Sequence, residues 1–150
     1  MSNFIIQRCS VLPQEKIFDI SVDVENFHKI MPNHFKSLEI VEENKYGMIV
    51  NEKINFFGMN LKVITKHVII YPNIHEVHIL SGPTKGTTFI ESYVSSGNGT
   101  VITINVDLKF NGILKYLPFL DAILAKKMSK TMDIFIQSAE ASSIKIIPQK

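Results

Sequence analysis

The sequence has little of what extracellular, membrane-spanning or nucleic-acid-binding proteins use. Cysteine occurs once, as Cys9, so no internal disulfide can form. Sixteen basic residues nearly balance fourteen acidic ones and are spread along the chain, which leaves no basic block for nucleic acid. The longest apolar stretch, 112–125, is interrupted by Lys115, Pro118 and Asp121. It is shorter than the roughly 20 residues that cross a bilayer.

Signals for export, metals and phosphates are also missing. The opening segment, MSNFIIQRCS, has no basic stretch followed by an apolar run, so we expect a cytoplasmic protein. The five histidines and the single cysteine do not follow the spacing of a zinc site, and the glycines form no phosphate-binding loop. The sequence therefore predicts no metal, no cofactor and no nucleic-acid partner.

What the chain does contain is enough apolar material for one core. With 150 residues, 45% of them apolar, residues 1–150 are expected to form a single domain. Residues 4–10 are typical of a strand, and Pro13 then opens a helix, since proline suits the first helical turn. Asp23 can cap a second short helix that ends before Pro32, because the residue preceding a proline disfavours helix.

Residues 36–110 change to alternating and β-branched patterns, which predict six further strands. Strands joined by short turns must be antiparallel, because a parallel return needs a long crossover. After Gly112 the apolar residues recur every three or four positions, which predicts one long helix. The order β-α-α-β6-α gives an α+β fold in which a seven-stranded, curved antiparallel sheet wraps around a long C-terminal helix. The predicted turns lie at 44–47, 57–58, 71–73, 82–83 and 95–99.

Two consecutive segments carry a family resemblance. PQEKIFDISVDVENFHKIMP followed by FKSLEIVEENKYGMIV resembles the opening of START-like (SRPBCC) proteins, the helix-grip superfamily that includes the birch-pollen allergens. Within it the chain is most similar to polyketide cyclase/dehydrase-like and coenzyme-Q-binding proteins. Gly82-Pro83, the GNGT turn and the C-terminal helix add to the likeness. The resemblance implies an internal cavity and leaves the ligand open, because the scaffold hosts many functions.

Hairpin register predicts which side chains face that cavity. A tight turn at 57–58 pairs Ile54 with Leu61 and Glu52 with Val63, and the next turn pairs His67 with Val77. All these residues then lie on the concave face of the sheet, and apolar positions of the C-terminal helix face them. The predicted ligand-binding residues are Val50, Glu52, Ile54, Leu61, Val63, Thr65, His67, Val77, Ile79, Phe89, Glu91, Tyr93, Ile104, Val106, Leu124, Met128 and Met132.

Three ionisable side chains interrupt this apolar face: Glu52, His67 and Glu91. The register predicts that His67 and Glu91 share one cross-strand row with Val77 between them, roughly 10 Å apart. A buried charge without a partner is costly. The group is therefore a self-satisfied structural network, a set of positions near the sheet edge that reach water, or the polar end of a ligand pocket. Ser81, Thr65, Tyr93 and His75 are the predicted polar neighbours.

Three functional hypotheses follow. The first is binding or transport of a hydrophobic small molecule, such as a lipid, an isoprenoid or quinone, or a polyketide-like compound, in the cavity. The second is a cyclase/dehydratase-like enzyme that uses His67 and Glu91 for acid/base chemistry. The third is a protein-interaction module whose cavity is filled by its own side chains. A monomer and a homodimer are both compatible with the sequence.

The predicted start of the C-terminal helix, GILKYLPFLDAILAKK, is apolar on more than one face. We expect the surplus to pack on the two short helices, near Phe27, Ile30 and Met31. The alternative is a peripheral membrane- or protein-docking surface, with lysines nearby to meet anionic headgroups.

Overall fold

A computed structural model describes residues 2–56 and 59–146 and contains the predicted succession of strands and helices. Three α-helices are present in these residues: α1 at Gln14–Val22, α2 at Phe27–Ile30 and α3 at Leu120–Ile146. The strands are β1 Ser2–Ser10, β2 Phe35–Asn44, β3 Gly47–Phe56, β4 Met59–Ile70, β5 Ile74–Ile79, β6 Thr88–Ser96 and β7 Gly99–Leu108.

All seven strands belong to one antiparallel sheet with the order β1-β7-β6-β5-β4-β3-β2. β1 and β2 are therefore its edges. Two irregularities in the β2–β3 register, between Phe35 and Ser37 and between Ile40 and Glu42, bend the edge strand. The helices pack on the concave face of this curved sheet, so the predicted fold class is confirmed.

The register of the central strands is also confirmed. Ile54 pairs with Leu61 and Glu52 with Val63, and His67 pairs with Val77 across β4 and β5. The predicted tight turn at 57–58 lies outside the described residues. Because side chains alternate along a strand, this register places the predicted set on a single face.

The two short helices close one end of the core. α1 starts after Pro13, whose carbonyl accepts a hydrogen bond from the Ile17 amide at 3.1 Å. Phe18 is 1% exposed and meets the Tyr93 ring edge-on, with the ring centroids 5.4 Å apart. The second predicted helix is divided into a 3-10 turn, Val24–Asn26, and α2. Phe27 at the start of α2 contacts Phe135 of α3, which joins the helices at this end.

The C-terminal helix begins later than the sequence pattern predicts. Residues Gly112–Tyr116 form a 3-10 turn, Leu117 is extended, and Phe119 has a φ of 62° before α3 starts at Leu120. Pro118 accounts for the break, because a proline pushes its preceding residue out of the helical region. The prediction of a continuous helix from Gly112 was wrong.

The surplus apolar side chains of this segment do not pack on the short helices, so that prediction was wrong as well. They form what we call the 113–123 surface. Because Gly112–Phe119 does not continue the helix, its side chains are not aligned with the buried stripe of α3. The surface comprises Ile113, Tyr116 and Phe119, each 77% exposed, with Leu117 and Ile123 about half exposed. Lys115 lies over the Tyr116 ring, with its Nζ 5.9 Å from the centroid. A membrane or protein contact at this surface stays a prediction.

Polar contacts attach the C-terminal half of α3 to the edge strand β1. Arg8 Nε lies 2.6 Å from Asp133 Oδ1. Ser10 Oγ donates a hydrogen bond to Glu140 Oε2 at 2.8 Å, and the Val11 amide donates to the same oxygen at 3.0 Å. The helix also packs into the interior along its length, where Leu124 is 2% exposed and Ala139 is fully buried.

Candidate functional site: an apolar cavity with a buried charged network

The interior between sheet and helices is open rather than filled. A cavity of about 300 Å³ lies there, within the range of small-molecule sites. Its wall is mainly apolar, since strands contribute alternate aliphatic side chains and α3 adds Leu124, Met128 and Met132. Methionine suits such a wall because its unbranched side chain adapts to different shapes.

The structure places nearly all of the predicted ligand-binding residues on the cavity wall. Two of them lie outside it. Val50 is fully buried on the same face of the sheet, and Leu61 is half-buried. The predicted residues on the wall are Glu52, Ile54, Val63, Thr65, His67, Val77, Ile79, Phe89, Glu91, Tyr93, Ile104, Val106, Leu124, Met128 and Met132. Their role in ligand binding stays a prediction.

Sequence reasoning missed most of the helical side of the wall. Val24, Phe27 and Met31 line the cavity from the segment between β1 and β2. Their spacing indicated an apolar helical face but not that this face borders the cavity. On α3, Lys127 and Thr131 also line it. They could have been found, because they lie one turn from Leu124 and Met128 on the same stripe.

One end of the cavity wall carries a hydrogen-bonded group of polar residues. Glu52, Thr65 and His67 lie on the adjacent strands β3 and β4 and are less than 10% exposed. Thr65 Oγ donates a hydrogen bond to Glu52 Oε2. His67 Nε2 lies 3.1 Å from the same carboxylate oxygen and 3.1 Å from Thr65 Oγ. The Glu52 carboxylate is therefore buried with partners.

The group continues through His75, which the sequence identified only as a neighbour. His67 Nδ1 lies 2.9 Å from His75 Nε2, with the two rings stacked. His75 Nδ1 lies 3.3 Å from Glu91 Oε1, outside hydrogen-bond geometry. Tyr93 OH donates to Glu91 Oε1 at 2.6 Å. We call these six residues, Glu52, Thr65, His67, His75, Glu91 and Tyr93, the charged network.

The prediction that His67 and Glu91 share one cross-strand row was wrong. His67 pairs with Val77, and Val77 pairs with Phe89 of β6, whereas Glu91 pairs with His75. The connection from β5 to β6 is an irregular loop rather than a tight turn, so its length does not determine the register. The observed β5–β6 register differs from the predicted one by two residues, so every side chain still lies on the predicted face of the sheet. The predicted neighbour Ser81 lies off the wall, where its Oγ accepts a hydrogen bond from the Ile64 amide.

The environment determines the protonation of Glu91 and Tyr93. Burial by itself raises the pKa of Glu91, but the nearby His75 ring, the hydrogen bond from Tyr93 and the more distant His67 ring outweigh it. The net pKa of Glu91 lies below its ordinary value, so the side chain is a carboxylate at neutral pH. Burial and the adjacent Glu91 raise the pKa of Tyr93 well above its usual range, so its hydroxyl remains a donor.

A second polar point on the wall is formed by His34 and Lys127. Burial, together with the charges of Lys127 and Lys36, lowers the pKa of His34 and favours its neutral form. The cavity thus has carboxylates in the charged network and one lysine on the α3 side.

Comparisons with known proteins identify the fold. The chain is 21% identical to Ara h 8.0201, with a TM-score of 0.75 over 96% of this chain and 98% of that one. It is 12% identical to the Zhui aromatase/cyclase from Streptomyces sp. R1128, with a TM-score of 0.77 over 93% of each chain. A START superfamily protein from Mycobacterium smegmatis gives 14% identity and a TM-score of 0.72 over 96% of this chain and 98% of that one. The protein therefore has the START-like helix-grip fold.

Comparisons at the level of sequence add no family. No protein-family model matches the chain, and no curated protein matches it. Within residues 2–56 and 59–146, no helix is both long and apolar enough to cross a membrane. In the same residues, no three His, Cys, Asp or Glu side chains are arranged to hold a metal ion.

Proposed function

We propose that this protein binds a hydrophobic small molecule between the sheet and α3, as a carrier or sensor rather than as an enzyme. The observation that supports it is the open, mainly apolar cavity of about 300 Å³ with one sparse polar end. A few polar groups that orient a mainly apolar ligand are the usual anatomy of such a site. The ligand classes we consider are lipids, isoprenoids or quinones, and polyketide-like compounds.

The binding proposal is tested first on protein purified from its own source. Native mass spectrometry is expected to reveal a co-purified small molecule, and a neutral fluorescent probe such as N-phenyl-1-naphthylamine should bind once per chain. The co-purified compound should displace the probe. If neither a bound mass nor probe binding is detected, the proposed function is wrong.

A second candidate function is acid/base catalysis, and the contact between His67 and His75 favours it. Two imidazoles in hydrogen-bond contact, with a carboxylate at each end, can hold and transfer a proton beside a bound substrate. The aromatase/cyclase among the structural neighbours makes a cyclisable polyketide-like compound the first substrate to try.

The catalytic alternative predicts loss of turnover by about 100-fold or more in His67→Ala and Glu91→Gln, because general acid/base groups contribute at least that much. Far-ultraviolet circular dichroism is needed to verify that both variants fold. The matched control is His78→Ala, because His78 pairs with Glu76 on the outer face of β5. Turnover retained in folded His67→Ala would exclude this mechanism.

The interaction-module alternative required a cavity filled by its own side chains. The cavity is open, so we do not favour that alternative. A role for the 113–123 surface in membrane or protein contact is compatible with ligand binding, since this surface precedes the part of α3 that lines the cavity.

A further inference from the structure

The number of protons that the contacts within the charged network can hold limits the net charge of the network. Glu52, His67, His75 and Glu91 make three successive contacts, at 3.1, 2.9 and 3.3 Å. Each contact is favourable only when one proton lies between its two heavy atoms. Two neutral imidazoles supply one N–H each, so they satisfy two of the three contacts. The contact left without a proton is the longest one, where His75 Nδ1 is buried and makes no hydrogen bond.

One additional proton satisfies all three contacts, wherever in the network it resides. Two carboxylates, two imidazoles and this one additional proton leave a single net negative charge. While both carboxyl groups are ionised, a second additional proton must go to a ring nitrogen, where it would give one contact two facing donors; the 2.9 Å separation of His67 Nδ1 and His75 Nε2 shows how close such donors would be. The lowered pKa of Glu91 opposes protonation of its other oxygen. With no additional proton, the network has two negative charges. Its charge is therefore negative in both cases.

The cavity strengthens the interaction between this negative charge and a bound ligand. Its wall is mainly apolar, so a charged ligand group beside the network is weakly screened by water. Glu91 is the group that a ligand can reach, because its side chain keeps 18% of its surface exposed and lines the cavity. Its carboxylate can accept a hydrogen bond from a ligand hydroxyl or ammonium group. A ligand carboxylate in the same place would lose its hydration and face a like charge.

On this basis, and resting on the proposed function, we propose that the cavity selects apolar ligands whose polar end donates a hydrogen bond, either a neutral hydroxyl or a protonated amine. It excludes ligands that end in a free carboxylate, such as fatty acids. The opposing consideration is Lys127 on α3, which could attract a carboxylate to the other side of the cavity.

The test uses three ligands with the same alkyl chain: dodecanol, dodecylamine and dodecanoate. Each ligand is titrated against N-phenyl-1-naphthylamine bound to the native protein at neutral pH. The ligand concentration stays below the solubility limit or the micelle concentration of that ligand. We expect dodecanol and dodecylamine to bind at least about tenfold more tightly than dodecanoate, a difference of about 1.4 kcal/mol. Glu91→Gln should weaken dodecylamine about tenfold and improve dodecanoate, because it removes the accessible negative charge. Glu76→Gln, on the outer face of β5, is the matched control and should change none of the three.

Each outcome has a distinct meaning. Equal affinities for the three ligands in the native protein would overturn the selectivity and leave the proposed function intact. Dodecanoate binding most tightly, and losing affinity in Lys127→Met, would overturn it in favour of an anion site on α3. Failure of the probe and of every ligand to bind would reject the proposed function itself. The ranking in the native protein decides the question even if Glu91→Gln does not fold.

Discussion

Replacing Val77 with tryptophan is expected to lower the affinity for an apolar ligand by at least about tenfold while the protein stays folded. Val77 lies at the centre of the cavity wall, paired with His67 on one side and Phe89 on the other. Its side chain points into the open space, so an indole there occupies the volume that a ligand needs. Aromatic residues are favoured in strands, and the cavity gives the ring room, so the backbone need not move.

Probe titration measures this effect, and Val94→Trp is the matched control. Val94 lies on β6, 56% exposed, on the opposite face of the sheet. The control should bind the probe with native affinity. A folded Val77→Trp protein that also bound the probe with native affinity would show that the ligand lies elsewhere.

Replacing Phe18 with alanine is expected to reduce the free energy of unfolding by about 3–5 kcal/mol. Phe18 is 1% exposed in the core, and its ring meets those of Tyr93 and Tyr71 edge-on, with centroids 5.4 and 5.3 Å away. The substitution removes these contacts and leaves a void that the packed surroundings can only partly close. A domain of this size is typically stable by about 5–15 kcal/mol, so a large part of its stability would be lost.

Chemical denaturation of the native protein and both variants measures this loss, with Phe119→Ala as the control. Phe119 belongs to the 113–123 surface and is 77% exposed. Its replacement should change the unfolding free energy by less than about 0.5 kcal/mol, as is usual for surface positions. Similar destabilisation of the two variants would contradict the core position assigned to Phe18.

Alternation along the strands explains why so much of the cavity wall could be predicted. The β3–β4 register is predicted if the turn at 57–58 is short, and the observed pairing of these strands agrees with it, so every second residue of β3 and β4 faces the same way. Thr65 and His67 are buried where this pattern places them. A local rule sufficed because neighbouring strands are consecutive in the chain.

Two features depended on contacts that the sequence pattern does not encode. The β5–β6 register is held by the irregular 80–87 loop, in which the Ile79 amide donates to the Thr87 carbonyl and the Gly86 amide to the Ile79 carbonyl. These bonds place Glu91 opposite His75 instead of opposite Val77. The second feature is the break at Pro118, where the apolar periodicity continues although the helix does not. Periodicity reports which residues are apolar, and here the backbone preference of proline outweighed it.

The residues of the charged network could be predicted from the sequence, but the contacts that connect them could not. Glu52, His67 and Glu91 were identified because they interrupt an apolar face, which is a local anomaly visible in the sequence. His75 lies on the same face, yet its role as the link between His67 and Glu91 follows only from the pairing of β5 with both neighbours. Through that link the two carboxylates and two imidazoles share their protons as one network.

The attachment of α3 to β1 has a consequence for how the proposed ligand would enter. The directional contacts of Asp133 and Glu140 fix the C-terminal half of the helix to the sheet edge. Leu124, Met128 and Met132 line the cavity from the other half through apolar contacts, which have no preferred direction. A small outward rotation about the attached end would widen the cavity without breaking either of those polar contacts. For the proposed ligand, exchange would then require only that one helix tilts, with the sheet and its hydrogen bonds unchanged.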